Sequence, residues 1–229
     1  MADGRNRPVP MTAQSTLGVM TTTVARVAGA LAGGYLIGAL PAAWLLVRLG
    51  HGIDLRRVGR GGSGAVDAMV AVGPRAAAAA TSLELVKGVV VAAGARTYDN
   101  RAWFVLLALA GCVAGDAFPI GFRRGGRGMV PLMAGLLAAL PQVFVIVAAF
   151  ALLAAAFLGR RAGGYRAAVV VGIPAGVALA TGEPATLGPA ALIVAVLLVR
   201  HEQRRRAREA TLTLRGERGW RIEVVEHRS

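Results

Sequence analysis

The chain has 229 residues, 55% of them hydrophobic and only 5% aromatic, with a formal net charge of +14 and a mean hydropathy of +0.58. That apolar content exceeds what a soluble domain of this size can bury and arrives in uninterrupted blocks, which excludes a soluble globular enzyme and predicts an all-α integral membrane protein. The one cysteine, Cys112, lies inside an apolar block, so a disulfide framework or a cysteine metal site is excluded as well.

Residues 1–23 are polar and weakly basic, with no apolar core followed by a small-residue cleavage site, and are expected to form a disordered tail rather than a signal peptide. Apolar runs matching the roughly 17 to 25 residues of a transmembrane helix follow at about 24–47, 76–95 and 103–120. Further runs lie at about 141–158, 167–182 and 185–199. The stretch 129–158 is too long for one ordinary span and too short for two, and Pro141 divides it, so 129–140 is expected as a short, tilted or part-buried helix. The expectation is a bundle of about seven transmembrane helices over 24–200, with a short basic cytosolic C-terminal tail over 201–229.

With the N-terminus outside, the inner loops and the C-terminal tail hold 20 of the 26 Lys and Arg residues, and the outer connections carry almost none. This distribution satisfies the positive-inside rule for an odd number of spans and predicts an N-out, C-in topology. The net positive charge is therefore read as contact with anionic membrane lipids and not with nucleic acid, since no basic stripe is interleaved with aromatic residues. In the tail, Thr211 to Arg215 and Trp220 to Val225 alternate apolar and polar residues around a Gly-Glu-Arg-Gly stretch, which suggests a small hairpin.

Four places carry polar chemistry. After the first span comes Val58-Gly59-Arg60-Gly61-Gly62-Ser63-Gly64-Ala65-Val66-Asp67, where glycines permit an anion-binding nest and Arg60 adds a fork of donors; a flexible linker is the competing reading. It lacks the Gly-Lys-Ser/Thr ending of a nucleotide-binding P-loop. Lys87, the only lysine, sits in the middle of an apolar span with Glu84 at i−3, and a pair facing the bundle interior offsets the cost of placing charge in lipid. The third place is the loop 115–128, which ends Arg123-Arg124-Gly125-Gly126-Arg127-Gly128, a concentration of guanidiniums and bare backbone suited to a phosphate. Asp116 at its start is expected to orient an arginine, with general-base work as the alternative. Arg200-His201-Glu202 at the end of the last span is read as interfacial.

Taken together, Tyr35-Leu36-Ile37-Gly38 with Pro41, then Gly52-Ile53-Asp54-Leu55-Arg56-Arg57-Val58-Gly59, then Gly61, Gly64-Ala65 and Gly73, Lys87-Gly88, Gly115, Phe118-Pro119, Phe122 and Arg124 to Gly128 resemble the bacterial acyl-phosphate:glycerol-3-phosphate acyltransferases, the PlsY family. The resemblance covers about 34–201. It implies a seven-helix bundle in the bacterial inner membrane with its site at the cytosolic face. It also implies transfer of an acyl group from acyl phosphate to glycerol 3-phosphate, giving lysophosphatidic acid for phospholipid synthesis, with no metal or other cofactor. Residues that match the family pattern, or replace its lysines by arginine, and are expected by analogy to bind substrate phosphates are Gly59, Gly61, Gly64, Lys87, Arg124, Gly125, Gly126, Arg127 and Gly128, joined by Arg60 on physical grounds.

The chain departs from the family pattern at several places. The family's Gly-Ser-Gly-Asn-Ile-Gly-Ala-Thr-Asn stretch is Gly59 to Asp67 here, without its serine, asparagines and threonine in register. Val70 stands where an arginine is expected, Asp116 replaces a histidine, and Arg204 replaces an asparagine. Two readings follow: an acyltransferase with a rebuilt site, in which Asp116 is a candidate catalytic base, or a degenerate paralogue that binds phospholipid or a partner protein without turnover.

Overall fold

The computed structural model of the chain describes residues 13–57, 62, 64–122, 125–158 and 168–217, with side chains within 20–157 and 169–206 of these. All regular elements among the described residues are helical: α1 Ala13–Gly38, α2 Ala42–His51, α3 Ala65–Ala71, α4 Pro74–Tyr98, α5 Ala102–Ala117, α6 Met129–Ala139 and α7 Pro141–Leu158. A π-helical turn, Ala168–Gly172, leads into α8, Ile173–Thr181, and a 3₁₀ turn, Pro184–Thr186, into α9, Leu187–Glu217. Among the described residues three apolar helical stretches are long enough to cross a bilayer, Met20–His51, Pro74–Tyr98 and Pro184–Arg206, and four shorter apolar helices accompany them. The protein is an all-α integral membrane bundle.

α5 is its axis. Every residue from Phe104 to Val113 is buried, surrounded by α1, α4, α6 and α9. The α1–α5 contact is made by two Gly-x-x-x-Gly pairs: Gly34 and Gly38 on α1 face the backbone of Ala108 and Cys112, while Gly111 and Gly115 on α5 face that of Leu31 and Tyr35. Small residues four apart let two helix backbones touch, the usual means of association where lipid tails remove any hydrophobic driving force between helices. Gly88 of α4 meets the Pro131 carbonyl of α6 by the same device.

The expected first span is broken. α1 stops at Gly38 and α2 begins after Pro41, because proline has no amide hydrogen to donate and its ring crowds the carbonyl four residues earlier. The Ala42 amide turns to Leu40 O at 2.9 Å, and the Leu40 amide reaches Ile37 O at 3.3 Å. Non-helical backbone inside a membrane protein needs other polar partners, and here they come from α4.

Three further expectations are corrected at helix ends. α1 starts at Ala13, so the second half of the expected N-terminal tail is helical; the Thr21 and Thr22 hydroxyls donate back to Gly18 O at 3.0 and 3.1 Å, which lets a threonine run sit in a helix. Part of the glycine-rich stretch after the first span forms α3, whose start is set by Gly64 O accepting the Asp67 and Ala68 amides. α9 continues through Thr211 to Glu217, so the first expected hairpin strand is helix, while Trp220 to Val225 lies outside the described residues. Extending an existing helix costs far less than starting a new element, which overrides the local alternation.

Candidate functional site

Lys87 is 7% exposed and lies where α4 passes the α1–α2 break. Its Nζ donates to Gly38 O and Leu40 O, each at 3.1 Å, and stands 2.6 Å from Glu84 Oε2 and 3.5 Å from Asp116 Oδ1. The expected inward-facing Glu84–Lys87 pair is present. The lysine also has a second task, donating to two carbonyls freed by the helix break, so its three hydrogens are directed at protein oxygens.

Asp116, at the end of α5, is equally buried. Beyond its contact with Lys87, its Oδ2 accepts the Gly128 amide at 2.7 Å, and its backbone carbonyl accepts the Gly126 amide at 2.7 Å. Gly126 lies directly against the carboxylate, where a side chain would collide with it, and Gly125 packs against the Asp116 and Ala117 carbonyls and the Pro119 ring. Gly128 has φ 71°, the left-handed conformation that glycine adopts without strain. The 125–128 loop is therefore folded over Asp116, and the amides of Gly126 and Gly128 are committed to that residue rather than to an open nest.

The loop is held on its other side by α9. Arg200, 6% exposed, donates through Nη2 to Gly125 O at 2.8 Å and through Nε to Gly126 O at 3.4 Å. Arg204, one turn on, donates through Nη2 to the same two carbonyls at 2.7 and 3.1 Å. Asp116 takes the loop's amides and the two arginines take its carbonyls, which fixes the peptide planes. The Arg127 side chain stays exposed at the loop surface.

Of the expected site residues, Lys87, Asp116, Gly125, Gly126, Arg127 and Gly128 come together here, while Gly64 caps α3 elsewhere in the α2–α4 connection. Gly59, Arg60, Gly61 and Arg124 lie outside the described residues. Sequence reasoning missed the part played by Arg200 and Arg204; their i, i+4 spacing at the end of the last apolar run was the available signal. Asp116 was expected to orient an arginine, and the cation beside it is Lys87.

An apolar cavity of about 400 Å³ lies between α1, α4 and α5. Gly29, Gly33 and Gly94 line it, and nothing stands within 4 Å of where a side chain at any of them would begin. Ile37 and Val90, also in its wall, bring it within a turn of Gly38 and Lys87, and Arg26 and Tyr98 border it as well.

These features define a polytopic membrane protein with a rigid glycine–arginine loop over a buried ionic cluster and an apolar cavity alongside. The family model for glycerol-3-phosphate acyltransferase matches residues 28–208. The chain is 32% identical over 168 residues to glycerol-3-phosphate acyltransferase 1 of Deinococcus radiodurans, covering 72% of this chain and 82% of that protein. It is 34% identical over 120 residues to glycerol-3-phosphate acyltransferase 3 of Dehalococcoides mccartyi, covering 47% of this chain and 56% of that one. The fold matches the crystal structure of PlsY (YgiH), an integral membrane glycerol 3-phosphate acyltransferase, in its glycerol 3-phosphate form, with TM-score 0.63 and 23% identity over 81% of this chain and 92% of the other. The chain belongs to the glycerol-3-phosphate acyltransferase family.

Proposed function

We propose that the protein transfers an acyl group from acyl phosphate to the 1-hydroxyl of glycerol 3-phosphate, forming lysophosphatidic acid and phosphate, at the cytoplasmic face of the bacterial inner membrane with its N-terminus outside. The hydroxyl oxygen attacks the acyl carbonyl, the bond from carbonyl carbon to phosphate oxygen breaks, and the hydroxyl proton leaves with the phosphate. Such a reaction needs two anions brought together and their charge offset, which is positioning and electrostatics rather than a dedicated base. The observation that carries the reading is the 125–128 loop, clamped by Asp116, Arg200 and Arg204 so that Arg127 projects from a fixed backbone. Family membership supports the same chemistry.

In this reading Arg127 and Arg124 bind phosphate, Gly125, Gly126 and Gly128 let the loop close over Asp116 so that Arg127 is presented from it, and the stretch containing Gly59, Arg60, Gly61 and Gly64 meets the second anion. Lys87 and Asp116 hold the scaffold: both Asp116 oxygens already have protein partners. The closed shell around Lys87 is also what favours the second reading, binding without turnover.

The test is purified protein in lipid given acyl phosphate and labelled glycerol 3-phosphate. Labelled lysophosphatidic acid is expected, and Arg127→Ala should reduce its rate about ten- to a hundredfold, the loss of a charge-assisted contact. No product above the Arg127→Ala background would leave the non-catalytic binding reading in possession.

In the same reading the acyl tail lies in the cavity between α1, α4 and α5, whose apolar wall at Ile37 and Val90 comes within a turn of Gly38 and Lys87. Gly94→Leu places a side chain in that open space and is expected to shift preference towards acyl chains shorter by about two to four carbons, roughly the length of the added side chain. Relative rates with acyl phosphates of graded length read the shift, and an unchanged order of preference would place the tail elsewhere.

A further inference from the structure

Arg56, in the connection between α2 and α3, is exposed, and its guanidinium makes no hydrogen bond or ion pair among the described residues. It is nevertheless held. The guanidinium carbon stands 5.0 Å from the centre of the Trp44 indole and 4.4 Å from that of the Phe122 ring, and the two rings meet edge to face 5.9 Å apart at 76°. Behind them, Asp54 Oδ1 accepts the Trp44 Nε1 hydrogen at 2.8 Å and the Arg56 amide at 3.0 Å, which ties the indole and the arginine backbone to one carboxylate. The Trp44 hydrogen bond, then the Arg56 amide and charge, hold Asp54 below the usual carboxylate range, so it stays an anion at neutral pH.

The position matters as much as the geometry. Trp44 lies on the first turn of α2, just past the Leu40 carbonyl that Lys87 holds. Phe122 ends the segment that leads into the 125–128 loop, and Arg56 Nη2 stands 3.7 Å from where a side chain at Gly121 would begin. On the same segment Arg200 lies over the Phe118 ring at 5.7 Å. Aromatic faces attract a guanidinium without using its N–H groups, so a stacked arginine keeps a planar fork of donors for an anion.

We propose that Arg56 is a phosphate-binding residue of the substrate site, with Trp44 and Phe122 as positioning residues that fix its plane beside the glycine loop. The ligand is a phosphate dianion, carried by glycerol 3-phosphate or by acyl phosphate. This rests on the acyltransferase reading for the identity of the ligand, and it supplies a cation in a chain that has Val70 where the family pattern has arginine.

The test measures KM for each substrate with the other saturating, in Arg56→Ala, Arg56→Lys, Phe122→Leu and the control Arg57→Ala, an exposed neighbouring arginine with no ring contact among the described residues. Arg56→Ala is expected to raise one KM about ten- to a hundredfold with kcat within about threefold. Whichever substrate responds is the one whose phosphate Arg56 holds. Arg56→Lys keeps the charge but not the fork and should fall between, and Phe122→Leu should raise the same KM about threefold to tenfold. Unchanged KM values in Arg56→Ala, or an equal response in Arg57→Ala, would overturn the proposal while leaving the enzyme reading intact. If the wild type shows no turnover, calorimetric binding of glycerol 3-phosphate and of inorganic phosphate decides: about tenfold weaker binding in Arg56→Ala but not Arg57→Ala sustains the site, and equal binding ends it.

Discussion

Lys87→Met is expected to lower the unfolding temperature of the purified protein by about 6 to 20 °C. The Lys87 ammonium contacts Gly38 O, Leu40 O, Glu84 and Asp116, all within 3.5 Å. Methionine fills the space but donates nothing. Two carbonyls at a helix break lose their donor and two buried carboxylates lose the cation between them. Removing one member of a buried ion pair costs about 3 to 5 kcal/mol, a large share of the 5 to 15 kcal/mol typical of a folded protein. The cost arises mainly from the stranded carboxylates. Adding Glu84→Gln to Lys87→Met should therefore recover part of the loss, and a double-mutant cycle on unfolding temperature measures that coupling. Lys87→Met unfolding at the wild-type temperature would show that the cluster is not a structural keystone.

The lone lysine and the glutamate three residues before it were enough to expect a paired, inward-facing charge, because spacing along one helix is a local property. What the lysine does beyond that was not legible. Its other partners come from residues 38, 40 and 116, and nothing in the 76–95 run points to them. Pro41 did mark the α1–α2 break, yet hydropathy averaged over a window passes across a single proline, so one span was expected where two helices exist. α3 was hidden differently: Ala65 to Ala71 is built of ordinary helix residues, but the glycines before it dominated the composition. The glycine loop stood out in the sequence as an element suited to a phosphate. Its anchoring was not, since Arg200 and Arg204 reach Gly125 from about 75 residues away and only a fold brings them there. Gly34, Gly38, Gly111 and Gly115 carried a readable signal, two four-residue glycine spacings, which predicts close helix contact without saying which helix meets which.

Asp116 offers the sharpest separation between anchoring and proton transfer. If it anchors the loop, Asp116→Ala leaves the Gly128 amide without its acceptor and removes one of the oxygens around Lys87. The loop then shifts, and displacement by about 1 Å of groups that position a reaction costs on the order of 100-fold in rate. Asp116→Asn behaves differently under the two assignments. An asparagine oxygen still accepts from Gly128, and Glu84 still faces Lys87, so an anchor replaced by asparagine should keep activity within about tenfold of wild type, in line with the modest net worth of one hydrogen bond. A general base replaced by asparagine loses proton transfer altogether, a loss of about 100- to 10,000-fold that alanine would not exceed by much. Gly126→Ala provides an independent check, because the added methyl group collides with the Asp116 carboxylate and must dislodge the loop without altering any titratable group. Anchoring predicts that Gly126→Ala and Asp116→Ala fail alike while Asp116→Asn survives. Proton transfer predicts instead that both Asp116 variants fail together, and that outcome would restore Asp116 to the reaction itself.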